Sequence, residues 1–200
     1  MAYDKALIAG KLRRWEKYLN NYRLPDWGDI PNFGLYMEQV IDYLKQTIDY
    51  LPPELKEEQF ITAATINNYV RRQLMPEPVK KKYYRVHLAY LLMICTLKQC
   101  LSMATLHTMV PTEIPESEVQ AIYSAYVAQH RTACRYFVRQ VRAGAAKILD
   151  HETVSETAVE NTGDLITLTA VVSGFARLLA EKLLLLDGKA LDDADELTTL

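Results

Sequence analysis

Asn67, Asn68, Arg71 and Arg72 fall within one short stretch, and amides and guanidiniums are the groups that read and hold nucleic acid. Asn can bond an adenine edge bidentately, and Arg can do the same with guanine or clamp a phosphate. At about 100° per residue, Ile66, Tyr69, Val70, Gln73 and Leu74 fill one arc of a helix, while Thr65, Asn67, Asn68, Arg71 and Arg72 fall on the other side. One face docks and the other presents polar groups. Beyond Met75-Pro76-Glu77-Pro78, where two prolines forbid a continuing helix, stand Lys80, Lys81 and Lys82, followed by Arg85. These cations are placed to grip backbone phosphates in the manner of a wing. The plainer alternative is a solvated helix face beside a charged turn.

What favours the first reading is the distribution of charge. The 200 residues carry 23 basic and 25 acidic side chains, a formal charge of −2, with a pI near 6.1. That total alone speaks against a nucleic-acid binder. By segment it separates: Tyr69 to Cys100 holds seven bases against Glu77 alone, a net +6, and Val119 to Leu149 holds five bases and no acid. Asp150 to Asp164 holds five acids and no base. The near-neutral sum therefore conceals segregated blocks, and it is the local field that a polyanion meets.

Those residues need elements to hold them. Half the chain is hydrophobic and 24% is charged, so it should fold as one ordinary domain or two small ones. Seven Gly and eight Pro disfavour a turn-rich β fold and a glycine-rich phosphate loop. Apolar spacing predicts helices over about 3–22, 35–51, 62–74 with Thr62 as cap, 85–98, a short one capped by Ser102 and ending near Met109, then 116–149 and 163–186. The stripe Tyr36, Val40, Tyr43, Thr47 and Tyr50 reads as core or helix docking rather than a base-stacking surface. Residues 85–98, apolar on almost every face, belong at the centre. No segment alternates with period two, so the expectation is an all-α protein with at most a small β-wing around 75–84.

The helix over 116–149 places Val119, Ile122, Tyr126, His130, Ala133, Phe137, Val141 and Ile148 on one side and Arg131, Arg135, Arg139 and Arg142 opposite. An apolar stripe of that length needs a partner, either 163–186 or a second protomer. The arginines read as a solvated face, as partners for the acidic 150–164 stretch, or as further phosphate contacts; His130 reads as a core histidine. The apolar run 165–186 is interrupted by Arg177, Glu181 and Lys182, so it reads as a buried helix rather than a membrane span. Three cysteines without CxxC spacing and an N-terminus without a sustained apolar stretch imply a reducing, cytoplasmic setting. No nucleophile elbow, phosphate loop, dinucleotide fingerprint or metal-ligand spacing occurs, so neither an enzyme nor a cofactor or metal is expected.

The run from Thr62 through Lys82-Tyr83, with His87-Leu88, Leu91, Ile94 and Leu97-Lys98, resembles an uncharacterised bacterial family, domain-of-unknown-function family 1836, over about residues 13–107. More distantly, Ile66, Tyr69, Leu74, Pro78 and Tyr83 or Tyr84 resemble the DNA-binding head of MerR-type regulators, with Leu101 to Leu106 matching its last short helix. That resemblance implies a helix-turn-helix head with a small wing. The expected organisation is a helical DNA-binding-like domain at 1–110, its helix-turn-helix core at about 35–108, and a two-helix dimerisation or effector region with an acidic tail at 111–200. The expected function is transcriptional regulation in bacteria. The helix 62–74 would read double-stranded DNA through Thr65, Asn67, Asn68, Arg71 and Arg72, while Lys80, Lys81, Lys82 and Arg85 hold phosphates. A homodimer through 116–186 and a small-molecule effector complete the scheme. The alternative is a helical protein-interaction or ligand-sensing module without DNA binding.

Overall fold

The computed structural model describes residues 5–48, 61–149, 158–159, 161–165, 168–169, 172–173 and 176–177. Tyr50, the Pro52-Pro53 stop, most of the acidic 150–164 stretch and the acidic tail lie outside the described residues. The protein is all-α, as its periodicity predicts, and no β-strand occurs among the described residues. The helices are α1 (Lys5–Asn21), α2 (Met37–Ile48), α3 (Ala63–Arg71), α4 (Arg85–Leu97), α5 (Met103–Met109), α6 (Glu116–Gly144) and α7 (Ala146–Leu149), with a 3-10 turn at Trp27–Asp29. They fall into two compact units, Leu19–Tyr136 on the one hand and Met1–Tyr18 with Phe137–Leu200 on the other.

The Leu19–Tyr136 unit is built around α4. Its residues from His87 to Cys95 are buried without interruption, which follows from a sequence that is apolar around the whole helix. Val40, Leu44 and Ile48 of α2, Ile66 and Tyr69 of α3, Leu106 of α5 and Val119, Tyr123 and Val127 of α6 join it in one core. Each such Leu, Ile or Val contributes about 1.5–3 kcal/mol relative to exposure. Several polar atoms that enter this core find partners. Thr96 donates to the Leu92 carbonyl at 2.7 Å and meets the Tyr126 hydroxyl at 2.5 Å, and the Tyr90 and Tyr123 hydroxyls donate to the carbonyls of Pro111 and Pro25 at 2.7 and 2.8 Å.

Two helix ends differ from the periodicity. The third helix stops at Arg71, not Leu74. The Leu74 N–H bonds the Tyr69 carbonyl and the Gln73 N–H bonds the Val70 carbonyl, while Gln73 takes a φ of 56°. This is the Schellman pattern, in which a left-handed residue just past the helix reverses the chain. Leu74 thereby turns back into the core beside Tyr69.

The expected single helix 116–149 is likewise broken, at Ala145. The Gly144 carbonyl accepts from the Val159 N–H at 2.9 Å, and Ile148 N–H closes a tighter turn on the Ala145 carbonyl. A Cβ on Gly144 would stand 3.3 Å from Leu168 Cδ2, so the side of the helix that Leu165 and Leu168 approach suits a residue without one. Ala133, expected on the apolar stripe of α6, is exposed.

In the other unit, Ala9, Ala145, Ile148, Leu149 and Leu165 form a smaller core with Ile8, Leu12 and Val159 against it. Trp15 and Phe137 meet edge to face at 5.3 Å. Helical backbone recurs over 162–165, 168–169, 172–173 and 176–177. No helix among the described residues is long and apolar enough to cross a membrane.

Candidate nucleic-acid interface

The polar face of α3 begins at its cap. Thr62 is extended, with φ −134° and ψ 162°, and its hydroxyl accepts from the Thr65 N–H at 3.1 Å, satisfying one of the free donors of the first turn. The two threonine hydroxyls also lie 2.9 Å apart, so Thr65 is held in the cap. Ile66 and Tyr69 are buried, Asn67, Arg71 and Arg72 are exposed, and Thr65 and Asn68 are half-buried. Gln73, expected on the docked arc, is exposed because the chain has already left the helix.

Asn68 organises the arginines. Its Oδ1 accepts from Arg71 Nη2 at 2.9 Å and from Arg72 Nε at 3.3 Å. An amide oxygen has two acceptor positions, so this one is fully used and only the NH2 is left to face a ligand. Two flexible guanidiniums are thus steered by one short side chain, which lowers the entropy lost when they grip an anion.

Lys80 and Lys81 sit at the tip of a tight reversal. Val79 and Lys82 exchange both backbone hydrogen bonds at 3.0 Å, and Lys80 and Lys81 take φ values of 50° and 64°. That is the geometry of a two-residue hairpin turn, for which Asn-Gly would be the favoured pair. At its base Leu35 and Tyr83 also exchange both bonds, at 2.8 Å. These two isolated antiparallel bridges are the extent of β structure around residues 75–84. Gly34 admits this pairing, since a Cβ there would lie 2.9 Å from both Cβ and Cδ of Lys82.

The remaining cations are differently placed. Lys82 is half-buried, with its ammonium 5.1 Å from the centre of the Tyr36 ring, a cation–π contact. Arg85 bonds the carbonyls of Ile30 at 3.0 Å and Gly28 at 3.5 Å and lies over Trp27. It straps down the 27–30 loop through Nε and Nη2.

Sequence reasoning missed the aromatics beside the turn. Phe33 and Tyr36 are 63% and 56% exposed, and Val79 and Tyr84 also face solvent. The stripe predicts Tyr36 in the core or at a helix contact, but α2 starts at Met37, and the Tyr36 N–H bonds Gln39 Oε1 at 2.9 Å just before the helix. The visible signal was the Gly34 that precedes it. Nearby, burial pushes the Cys95 thiol up to about 12 and raises the Tyr69 hydroxyl well above its usual range, with Cys95 adding to the latter. Both groups are therefore neutral packing elements, and Cys95 is inert as a nucleophile.

The profile of the family described as Domain of unknown function (DUF1836) matches residues 25–127. The chain belongs to this family. The matched span takes in α2 to α5, the Lys80-Lys81 turn and the first part of α6, so the polar face of α3 and the turn are both inside the family domain. No curated protein and no solved structure matches the chain.

Proposed function

We propose that this DUF1836 domain binds double-stranded DNA as a cytoplasmic transcriptional regulator of bacteria, with a MerR-like helix-turn-helix arrangement. In this reading α3 enters the major groove, where Asn67, Arg71 and Arg72 meet base edges or phosphates and Asn68 and Thr65 support them. Lys80 and Lys81 hold the backbone from the turn. The observation that carries the proposal is the outer face of α3: two exposed arginines aligned by Asn68, beside Asn67, in a stretch whose sole acid is Glu77. Such a face suits direct readout and charge neutralisation together. Fluorescence anisotropy with labelled duplex tests it. Arg71→Ala/Arg72→Ala should abolish binding with the circular dichroism spectrum unchanged, and undiminished binding would discard the assignment.

A second reading is favoured by the exposed Phe33, Tyr36 and Tyr84, since aromatics beside cations are also common in protein interfaces. There the basic face would meet an acidic protein partner. Retention on heparin without retention on duplex DNA, together with capture of a protein, would select it.

The homodimer proposed through 116–186 draws support from an open apolar groove of about 710 Å³ in the Met1–Tyr18 and Phe137–Leu200 unit, lined by Leu12, Trp15, Phe137, Val141 and Leu165 among others. A second copy covering it would remove this surface from water. Light scattering showing a strict monomer at micromolar concentration removes the dimer.

A further inference from the structure

The arginines of α6 do not share one environment. Arg142 pairs with Glu16, and Arg139 is exposed. Arg131 and Arg135, in the Leu19–Tyr136 unit, instead line a cavity of about 390 Å³ that Arg23 also lines, together with Asn20, Tyr22 and Cys134. Three arginines and no acidic residue therefore line one concavity. Arg131 Nη2 lies 3.6 Å from Asp26 Oδ1, and the Asp26 side chain is 72% exposed, so this ion pair is long and solvent-screened. Arg131 Nε is buried, with no hydrogen-bond partner among the described atoms. The Arg131 Nη groups, held among the described residues by the long pair with Asp26 alone, keep donors for an acceptor that enters the cavity.

We propose that this cavity is a binding site for a small phosphate-bearing molecule. Guanidinium forks match phosphate oxygens in pairs, and three arginines around one concavity favour a dianion or a pyrophosphate over a monovalent carboxylate. Tyr22, Leu19 and the Cys134 thiol supply an apolar wall for a compact organic body. The thiol stays protonated, because burial raises its pKa, so the wall adds no opposing charge. The site involves neither α3 nor the Lys80-Lys81 turn and stands independently of DNA binding.

Isothermal titration calorimetry of the full chain with inorganic pyrophosphate, at low ionic strength, tests the proposal. The expected result is saturable binding of one pyrophosphate per chain, weakened about tenfold or more by Arg131→Ala and by Arg135→Ala. Arg135 is exposed, so its replacement should leave the fold intact, as an unchanged thermal melt would show. Arg139→Ala and Arg71→Ala/Arg72→Ala should bind as the unaltered chain does, which separates this site from the DNA-reading face. Absence of saturation at millimolar pyrophosphate would overturn the site. So would unaltered affinity in both cavity variants, or displacement of pyrophosphate by duplex DNA, which would make the arginines contacts to nucleic acid instead.

Discussion

The imidazole of His87, buried in the first turn of α4, bonds the main-chain carbonyl of Glu77 at 2.9 Å, ten residues back along the chain. Its other nitrogen, Nδ1, accepts the Tyr84 N–H at 3.0 Å, so the ring proton must sit on Nε2 and point at Glu77. A single side chain therefore caps α4 and anchors the strand of chain that carries the lysine turn. His87→Leu keeps the apolar contacts and removes both bonds. It should cost about 1–3 kcal/mol in urea denaturation, because a carbonyl and an N–H lose their partners. Hydrogen exchange at the Val79 and Lys82 amides, which close the turn, should accelerate along with it; unchanged protection there would show that the turn stands without His87.

The lysine turn allows stability and function to be pulled apart. Lys80 and Lys81 both occupy left-handed backbone, where a non-glycine residue costs about 1 kcal/mol or more. Lys80→Asn/Lys81→Gly installs the pair that such turns prefer and should stabilise the protein by about 1 kcal/mol. The same change deletes two cations. If they contact phosphates, DNA affinity should fall and the slope of log K against log salt should become shallower by about 2. A variant that gains stability while binding DNA with the same salt slope would exclude the turn from the interface.

What was readable in the chain, and what was not, follows the reach of each interaction. The Thr62 and Ser102 caps are bonds across three residues, and the burial of α4 is a matter of composition, so both are visible in a short window. The end of α3 was hidden because Gln73, not glycine, takes the left-handed position. The tether on Arg85 was hidden because its partners, Ile30 and Gly28, lie 55 and 57 residues away. The break at Ala145 depends on the Val159 N–H, and no local pattern announces that bond. Of the face itself, the residue types were legible; the steering of both arginines by Asn68 required three-dimensional geometry.

Gly34 gives a direct check on the pairing between residues 33–36 and the turn. An added methyl would meet Lys82 Cβ and Cδ at 2.9 Å and Tyr84 Cζ at 3.0 Å. Lys82 Cβ lies next to the backbone and cannot swing aside as a chain end can. Gly34→Ala should therefore separate the Leu35–Tyr83 bridge and cost about 1–3 kcal/mol, the usual penalty of overpacking. Thermal unfolding measures the cost, and loss of the Leu35 and Tyr83 amide protection locates it.

His130 introduces a dependence on acid. It is half-buried on α6, with its ring 5.6 Å from that of Tyr22 and 6.2 Å from that of Tyr126, and burial holds its pKa below the ordinary 6.5. The folded state therefore takes up the proton less readily than the unfolded chain. As pH falls through 6.5 the unfolded chain binds it first, so the stability present above that value declines toward the lower folded pKa. His130→Phe keeps a ring among the tyrosines and removes the proton site. Between pH 7.5 and pH 5.5 the unaltered protein should lose more melting temperature than this variant, with the difference closing above neutrality. Equal losses in the two proteins would mean that His130 titrates alike folded and unfolded, and the acid sensitivity would have to be traced to another group.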